Sequence, residues 1–307
     1  MGAPTRSAMG APSRRATKTR LHVPPSIQQV FKLTRFQFRE YLSSRRFVVL
    51  LGIVLAIGLL LTIIVGHFQA SLHQCSTLTP GFLCSNLAFY GSVWGGAASF
   101  VVVLSAVFFG GDAIAGEFQN KTGYFLMGLP IRRATVYIGK YIAALIASFL
   151  VLVLFLLIVI ANGAYYFGGN ALPWQLAPSF ILAFVYLMAV LGSTFMFSSL
   201  FKTSAYGFVL TAILFLFGFT LLEELVTSLV KIEPWMVISY ASGAIGDVFS
   251  SSINWGLSGT VTHTQLGRGA TLVSYTCGVA EGVAIIIAYF LLTAVTGLLL
   301  FEREEFS

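Results

Sequence analysis

The stretch FVVLLGIVLAIGLLLTIIVG, residues 47–66, contains no ionisable side chain and, apart from Thr62, no polar one. The hydrocarbon core of a bilayer, about 30 Å thick, is crossed by about 20 mostly apolar residues in an α-helix. A helix is the form required there, because lipid offers no partner for an unpaired backbone amide or carbonyl. Arg45-Arg46 bounds the run on one side and His67 on the other. Residues 47–66 therefore read as a transmembrane helix.

Working outward, the same reading applies at 89–111, 137–161, 177–200, 206–222 and 279–301. None of these runs has an ionised residue at its middle; Lys140 and Glu281 stand near ends. The fifth is short, and continues past Glu223 if the Glu223-Glu224 carboxylates reach the interface. The whole composition agrees. Of 307 residues, 57% are hydrophobic and 9% charged, where soluble domains carry about 25% charged residues. A soluble globular protein is excluded. The expected fold is all-α, a polytopic membrane protein with a transmembrane domain over 47–301.

The net charge of +7 is unevenly placed: ten of the 18 Lys/Arg lie in residues 1–46, against one acid, Glu40. Beside a hydrophobic span, such a segment marks a cytoplasmic flank rather than a nucleic-acid site. The first apolar run starts only at Phe47 and has no convincing small-residue cleavage site, which is unlike a cleaved signal peptide. Residues 1–24, rich in Gly, Ala, Pro, Ser, Thr and Arg, read as a disordered basic cytoplasmic tail. Over 25–46, Ile27, Val30, Phe31, Phe38, Tyr41 and Leu42 oppose Gln28, Lys32, Arg35 and Arg39, the pattern of an amphipathic interfacial helix, with Ser26 as its cap. With six spans both termini share one side. Placing them in the cytoplasm of a cell-membrane protein, with 302–307 as the C-terminal tail, puts 16 Lys/Arg inside and leaves Lys231 and Arg268 outside. The positive-inside rule fixes that orientation. Trp94, Trp174, Trp235 and Trp255 then fall near outer span ends, where an aromatic belt is expected.

Two loops lie on the outer side. Residues 67–88 hold His67, His73, Cys75 and Cys84; Cys75 and Cys84 are a candidate disulfide in an oxidising exterior, with free thiols as the alternative. The spacing fits no strong zinc pattern, so no metal site is assigned. Residues 223–278 are Ser/Thr/Gly-rich with short apolar stretches such as Pro234-Trp235-Met236-Val237-Ile238, suited to short outer-side helices. Glu223-Glu224 reads either as an ion site or, more simply, as a solvated pair.

Groups able to do chemistry are scarce. The Gly-Lys pair Gly139-Lys140 is followed by Tyr141, so the G-x-x-x-x-G-K-[ST] phosphate loop is absent and the chain should bind neither ATP nor Mg itself. No catalytic or cofactor-binding residue is assigned. Relays of ion-coupled pumps need ionisable groups inside the bundle, and the spans lack them. Energy is expected to enter through residues 111–140, GDAIAGEFQNKTGYFLMGLPIRRATVYIGK. There Ile114, Phe118, Phe125 and Leu129 share one face of a short helix. Asp112 and Glu117 stand early and Arg132 and Arg133 late, in the sense that complements a helix dipole. Pro130 ends the helix near Leu129.

The same segment resembles permease subunits of type-2 ABC transporters. The resemblance rests on Asp112, Glu117, Thr122-Gly123, Leu129-Pro130-Ile131-Arg132 and Gly139-Lys140. In that family a basic amphipathic elbow helix precedes the first of six spans, as 25–46 does here, and a large outer region precedes the last. The resemblance implies a half-transporter, a permease that pairs with a second copy or a sibling permease and with separate cytoplasmic ATPase subunits that bind ATP and Mg. It implies export in most members, and a coupling segment, 112–135, docking into the ATPase. Carried over by position, Asp112, Glu117, Phe118, Lys121 and Arg132 become candidate ATPase-coupling residues.

Two other readings stay open at this point. A secondary transporter or channel without an ATPase would need buried ionisable groups or broken-helix ion sites. A membrane scaffold would recruit a cytoplasmic protein through 111–135. No residue set forms a recognisable specificity site. Phe208, Phe215, Phe217 and Phe219 on the fifth span suit a lipophilic substrate, or simply lipid and core packing.

Overall fold

The computed structural model describes residues 26–67, 85–119, 132–168, 172–201, 203–250, 253–266 and 270–303. Cys75, Cys84, Lys121, the basic tail and most of the 112–135 segment beyond Gln119 lie outside the described residues.

Among the described residues, six helices are long and apolar enough to cross a membrane: Arg45–His67, Asn86–Glu117, Arg133–Phe167, Leu176–Leu200, Ser204–Val230 and Val279–Arg303. They are numbered here as spans one to six. An amphipathic helix, Ser26–Ser43, precedes them and is called the interfacial helix after its expected place. Each span begins or stops for a local reason. Arg132, with extended backbone, opens span three, and its carbonyl accepts from Thr135 N at 2.9 Å. Pro178 sits in the first turn of span four, where its missing amide costs no helical bond. Span five runs past Glu223 to Val230 and is stopped by Lys231 in the left-handed conformation, φ 54°. Span three has 35 residues, which at 1.5 Å per residue is about 52 Å. That is longer than a bilayer core is thick, about 30 Å.

Spans two and four are the most enclosed, and spans one, five and six the least. Span four carries the centre of the core, with Leu182, Ala183, Tyr186, Leu187, Val190, Leu191 and Phe195 buried. Lipid supplies no hydrophobic drive between helices, so close approach of small residues does the packing. At Gly110 an added Cβ would stand 2.1 Å from Thr194 Oγ1, and at Gly163 2.2 Å from the Tyr90 hydroxyl. Wide π-type turns interrupt span two at Gly91–Gly95 and span five at Leu214–Gly218 and Val226–Val230.

At the end opposite the interfacial helix, a short helix, Ile238–Asp247, is buried against spans two, four and six. Trp94 Nε1 donates to Ser179 Oγ at 2.9 Å, and Ser179 Oγ donates to the Ile245 carbonyl at 2.6 Å, joining span two, span four and this helix. Trp94 is fully buried by this chain, which corrects its assignment to the aromatic belt; Trp174, Trp235 and Trp255 are exposed. The region between spans five and six also holds an antiparallel hairpin, β1 Thr260–Leu266 and β2 Ala270–Thr276, with Thr260 opposite Thr276. Helices alone were expected there. TVTHTQL and ATLVSYT are rich in β-branched residues in near-alternation, a strand pattern.

Candidate functional site

The site is the end of span two and the residues that leave it, Gly110 to Gln119. Its geometry follows from how many elements hold one short segment. Gly111 approaches span five so closely that a Cβ would lie 3.0 Å from Phe208 Cα, and at Gly207 a Cβ would lie 2.7 Å from the Gly111 carbonyl oxygen. Only glycine allows that backbone contact on both sides. The chain then turns into a short helix, Ala115–Gln119. Ser198 of span four caps its start, its Oγ accepting from Ile114 N at 3.1 Å and Ala115 N at 3.0 Å. Gln119 Oε1 in turn accepts from Ser204 N at 3.0 Å and Ser204 Oγ at 2.8 Å, closing the start of span five.

Two ion pairs complete the attachment. Asp112 pairs with Arg46 at the start of span one, and Glu117 pairs with Lys140 of span three. Lys140 is 4% exposed, and its Nζ also donates to the Ala113 carbonyl at 2.8 Å. A buried ammonium needs both an opposite charge and hydrogen-bond acceptors, and this one has them. The interfacial helix closes the remaining side. Thr34 Oγ1 donates to the Gly139 carbonyl at 3.1 Å, Tyr41 donates to the Phe109 carbonyl at 3.2 Å, and Leu33 covers Gly139. Between the interfacial helix and the ends of spans one to three lies a cavity of about 640 Å³.

Of the sequence-derived candidates, Asp112 and Glu117 are thus brought together, both turned inward to cationic partners. Arg132 is exposed at the start of span three. Phe118 lies on the Ala115–Gln119 helix. Lys121 lies outside the described residues. Sequence reasoning placed Lys140 only as the end of a motif and missed Arg46, Ser198 and Gln119 as site residues. A signal existed for the first: a lone lysine four residues inside an apolar helical run invites a search for its acid. The partners of Arg46 and Ser198 stand 66 and 84 residues away, beyond any local pattern.

The opposite end is anionic. Glu223 Oε2 accepts from Ser239 Oγ at 2.6 Å, Glu233 Oε1 accepts from the Tyr240 hydroxyl at 2.5 Å, and Glu281 Oε2 accepts from Gly278 N at 3.3 Å. Glu224 is exposed. Burial pushes the Asp247 carboxyl up to about 6, against a bond from the Cys277 backbone that lowers it. The Cys277 thiol is pushed up to about 12 by burial first and by Glu281, Asp247 and other carboxylates after it, so it stays protonated. Among the described residues no group of three or more His, Cys, Asp or Glu is placed to hold a metal ion. The phenylalanines of span five divide: Phe215 is buried against Phe219, Phe208 packs on Phe108, and Phe217 is exposed.

Against known families, residues 32–306 match the model of the ABC-2 family transporter proteins. A comparison with curated proteins gives no match.

Proposed function

Since the chain belongs to the ABC-2 family of transporter proteins and is a permease subunit, we propose that it forms the substrate path of an ATP-driven exporter as one half of a permease dimer. Separate ATPase subunits bind ATP and Mg and dock on the cytoplasmic coupling segment, 112–135. The protein then sits in the cell membrane with both termini in the cytoplasm, as the 16-to-2 distribution of Lys/Arg favours.

The observation that carries this reading is the attachment of Phe109 to Gln119 to five elements: the interfacial helix and spans one, three, four and five. A force applied to that segment reaches most of the bundle at once. Coupling requires such rigid connection between a partner's motion and packed helices. In this account Asp112 and Glu117 are struts that hold the segment on Arg46 and Lys140. Phe118, Lys121 and Arg132 are the contacts offered to the ATPase.

The test is purification of the full chain from native membrane with its neighbours. Co-purification of a P-loop ATPase supports the proposal, and so does loss of that partner in Arg132→Glu with the permease still folded. A permease that transports in vesicles with no ATPase present would refute it.

A further inference from the structure

The cavity beside the coupling segment has walls and a charge pattern that suit a ligand of its own. Leu33, Phe36 and Tyr41 of the interfacial helix and Phe108 and Phe109 of span two give it apolar and aromatic sides. An amphipathic helix of this kind lies at headgroup depth. Ile27, Phe31 and Phe36, 81%, 68% and 68% exposed, turn apolar surface outward there. The cavity therefore borders the layer where phospholipid headgroups meet acyl chains. Apolar walls with a few convergent polar groups are the usual make-up of a ligand site.

Its charges decide the class of ligand. The described lining includes three acids, Glu40, Asp112 and Glu117, and two bases, Arg46 and Lys140. Asp112 and Glu117 are already matched with Arg46 and Lys140. Glu40 accepts from the neutral Gln37 amide at 2.8 Å, and the described lining carries one negative charge in excess. Burial first, and then Glu40 and Glu117, raise the Tyr41 phenol, with Arg46 opposing them. At the mouth, the Arg46 side chain is 57% exposed, and its guanidinium has five N–H donors, enough to serve Asp112 and an anion together.

We propose that this cavity binds a zwitterionic phospholipid, its headgroup ammonium against Glu40 between the Phe36 and Tyr41 rings and its phosphate on Arg46. Aromatic faces and a carboxylate both attract an ammonium, whereas an anionic headgroup would meet the excess negative charge. A lipid seated there packs the interfacial helix against the coupling segment. The proposal rests on the position of the helix at the membrane surface, not on the ATPase reading.

The experiment is native mass spectrometry of the full chain in detergent, with no ATPase present. Phosphatidylethanolamine, phosphatidylcholine and phosphatidylglycerol of one acyl composition are offered in turn. The basic helix attracts anionic lipid elsewhere, so the readout is the change on substitution. In Glu40→Gln, retention of both zwitterionic lipids falls about threefold to fivefold, the weight of one partly screened ion pair, and phosphatidylglycerol is unchanged. In Glu40→Lys the zwitterionic lipids fall further and phosphatidylglycerol rises. Unchanged zwitterionic retention in both variants, or an equal fall for all three lipids, overturns the proposal. So does a lysine-rich peptide that binds the lipid-free chain through Glu40 without any lipid selectivity, which would assign the cavity to a protein partner.

Discussion

Replacing Lys140 with Met keeps the length of the side chain and its apolar stem but removes the charge that holds the Gly110–Gln119 segment on span three. The Ala113 carbonyl loses a 2.8 Å bond from a charged donor, and the Glu117 carboxylate loses its ion pair. Breaking a buried pair by deleting one partner costs about 3–5 kcal/mol, because the other charge is stranded. The Glu117 side chain is 23% exposed, so water reaches part of its carboxylate and the cost falls to about 2–4 kcal/mol. For a chain of this size that is a drop of about 3–6 °C in melting temperature. The assay is thermal unfolding of the full chain in detergent, followed through a double-mutant cycle. Glu117→Gln added to Lys140→Met removes the charge that Lys140 neutralised and should restore about half of the loss. A Lys140→Met protein melting within about 1 °C of the wild type would refute the strut. So would a second substitution whose effect simply adds to the first.

Three further outcomes follow from single positions. In Gly95→Ala the new Cβ would stand 2.5 Å from Gly246 Cα, a backbone atom that cannot rotate away; displacement of the Ile238–Asp247 helix should cost about 1–3 kcal/mol, read as a lower melting temperature. Tyr137 has a buried hydroxyl without a hydrogen-bond partner among the described residues, so Tyr137→Phe should leave stability unchanged or raise it by up to about 1 kcal/mol, and a clear loss would mean the hydroxyl has a partner in the assembled protein. Asp247 has its carboxyl raised from 3.8 to about 6 by burial, so the fold favours the protonated form: its stabilising contribution is full below about pH 4 and is lost as pH rises through about 6. Melting temperatures taken from pH 4 to 7 should therefore flatten over that window in Asp247→Asn.

The spans were legible because hydrophobic length is a property of one segment at a time. Phe47 to Gly66 needed no knowledge of its neighbours, and the structure extends that helix only to Arg45 and His67. Span ends were less legible. Span three begins at Arg133 and ends at Phe167 because a helix can continue past its apolar run, where hydropathy no longer marks it. Trp94 was misplaced for a related reason. A tryptophan near a span end belongs to the belt only if its ring faces lipid, and Ser179 with the buried outer helix takes this ring inside. The hairpin at 260–276 was hidden by reading the whole outer region in terms of helices, although its β-branched residues were in view. Asp112 and Glu117 were found as acids of a motif. Their roles depend on Arg46 and Lys140, which only the packed bundle brings to them.

The central claim is that a separate ATPase works through the coupling segment. ATP hydrolysis by the purified permease–ATPase complex, with and without the paired substitution Phe118→Ala and Arg132→Glu, tests it most directly. The account predicts that permease-dependent hydrolysis falls at least about tenfold, the loss of roughly 1.4 kcal/mol of coupling, while the melting temperature of the permease alone is unchanged. Hydrolysis at the wild-type rate in the doubly substituted complex would contradict it.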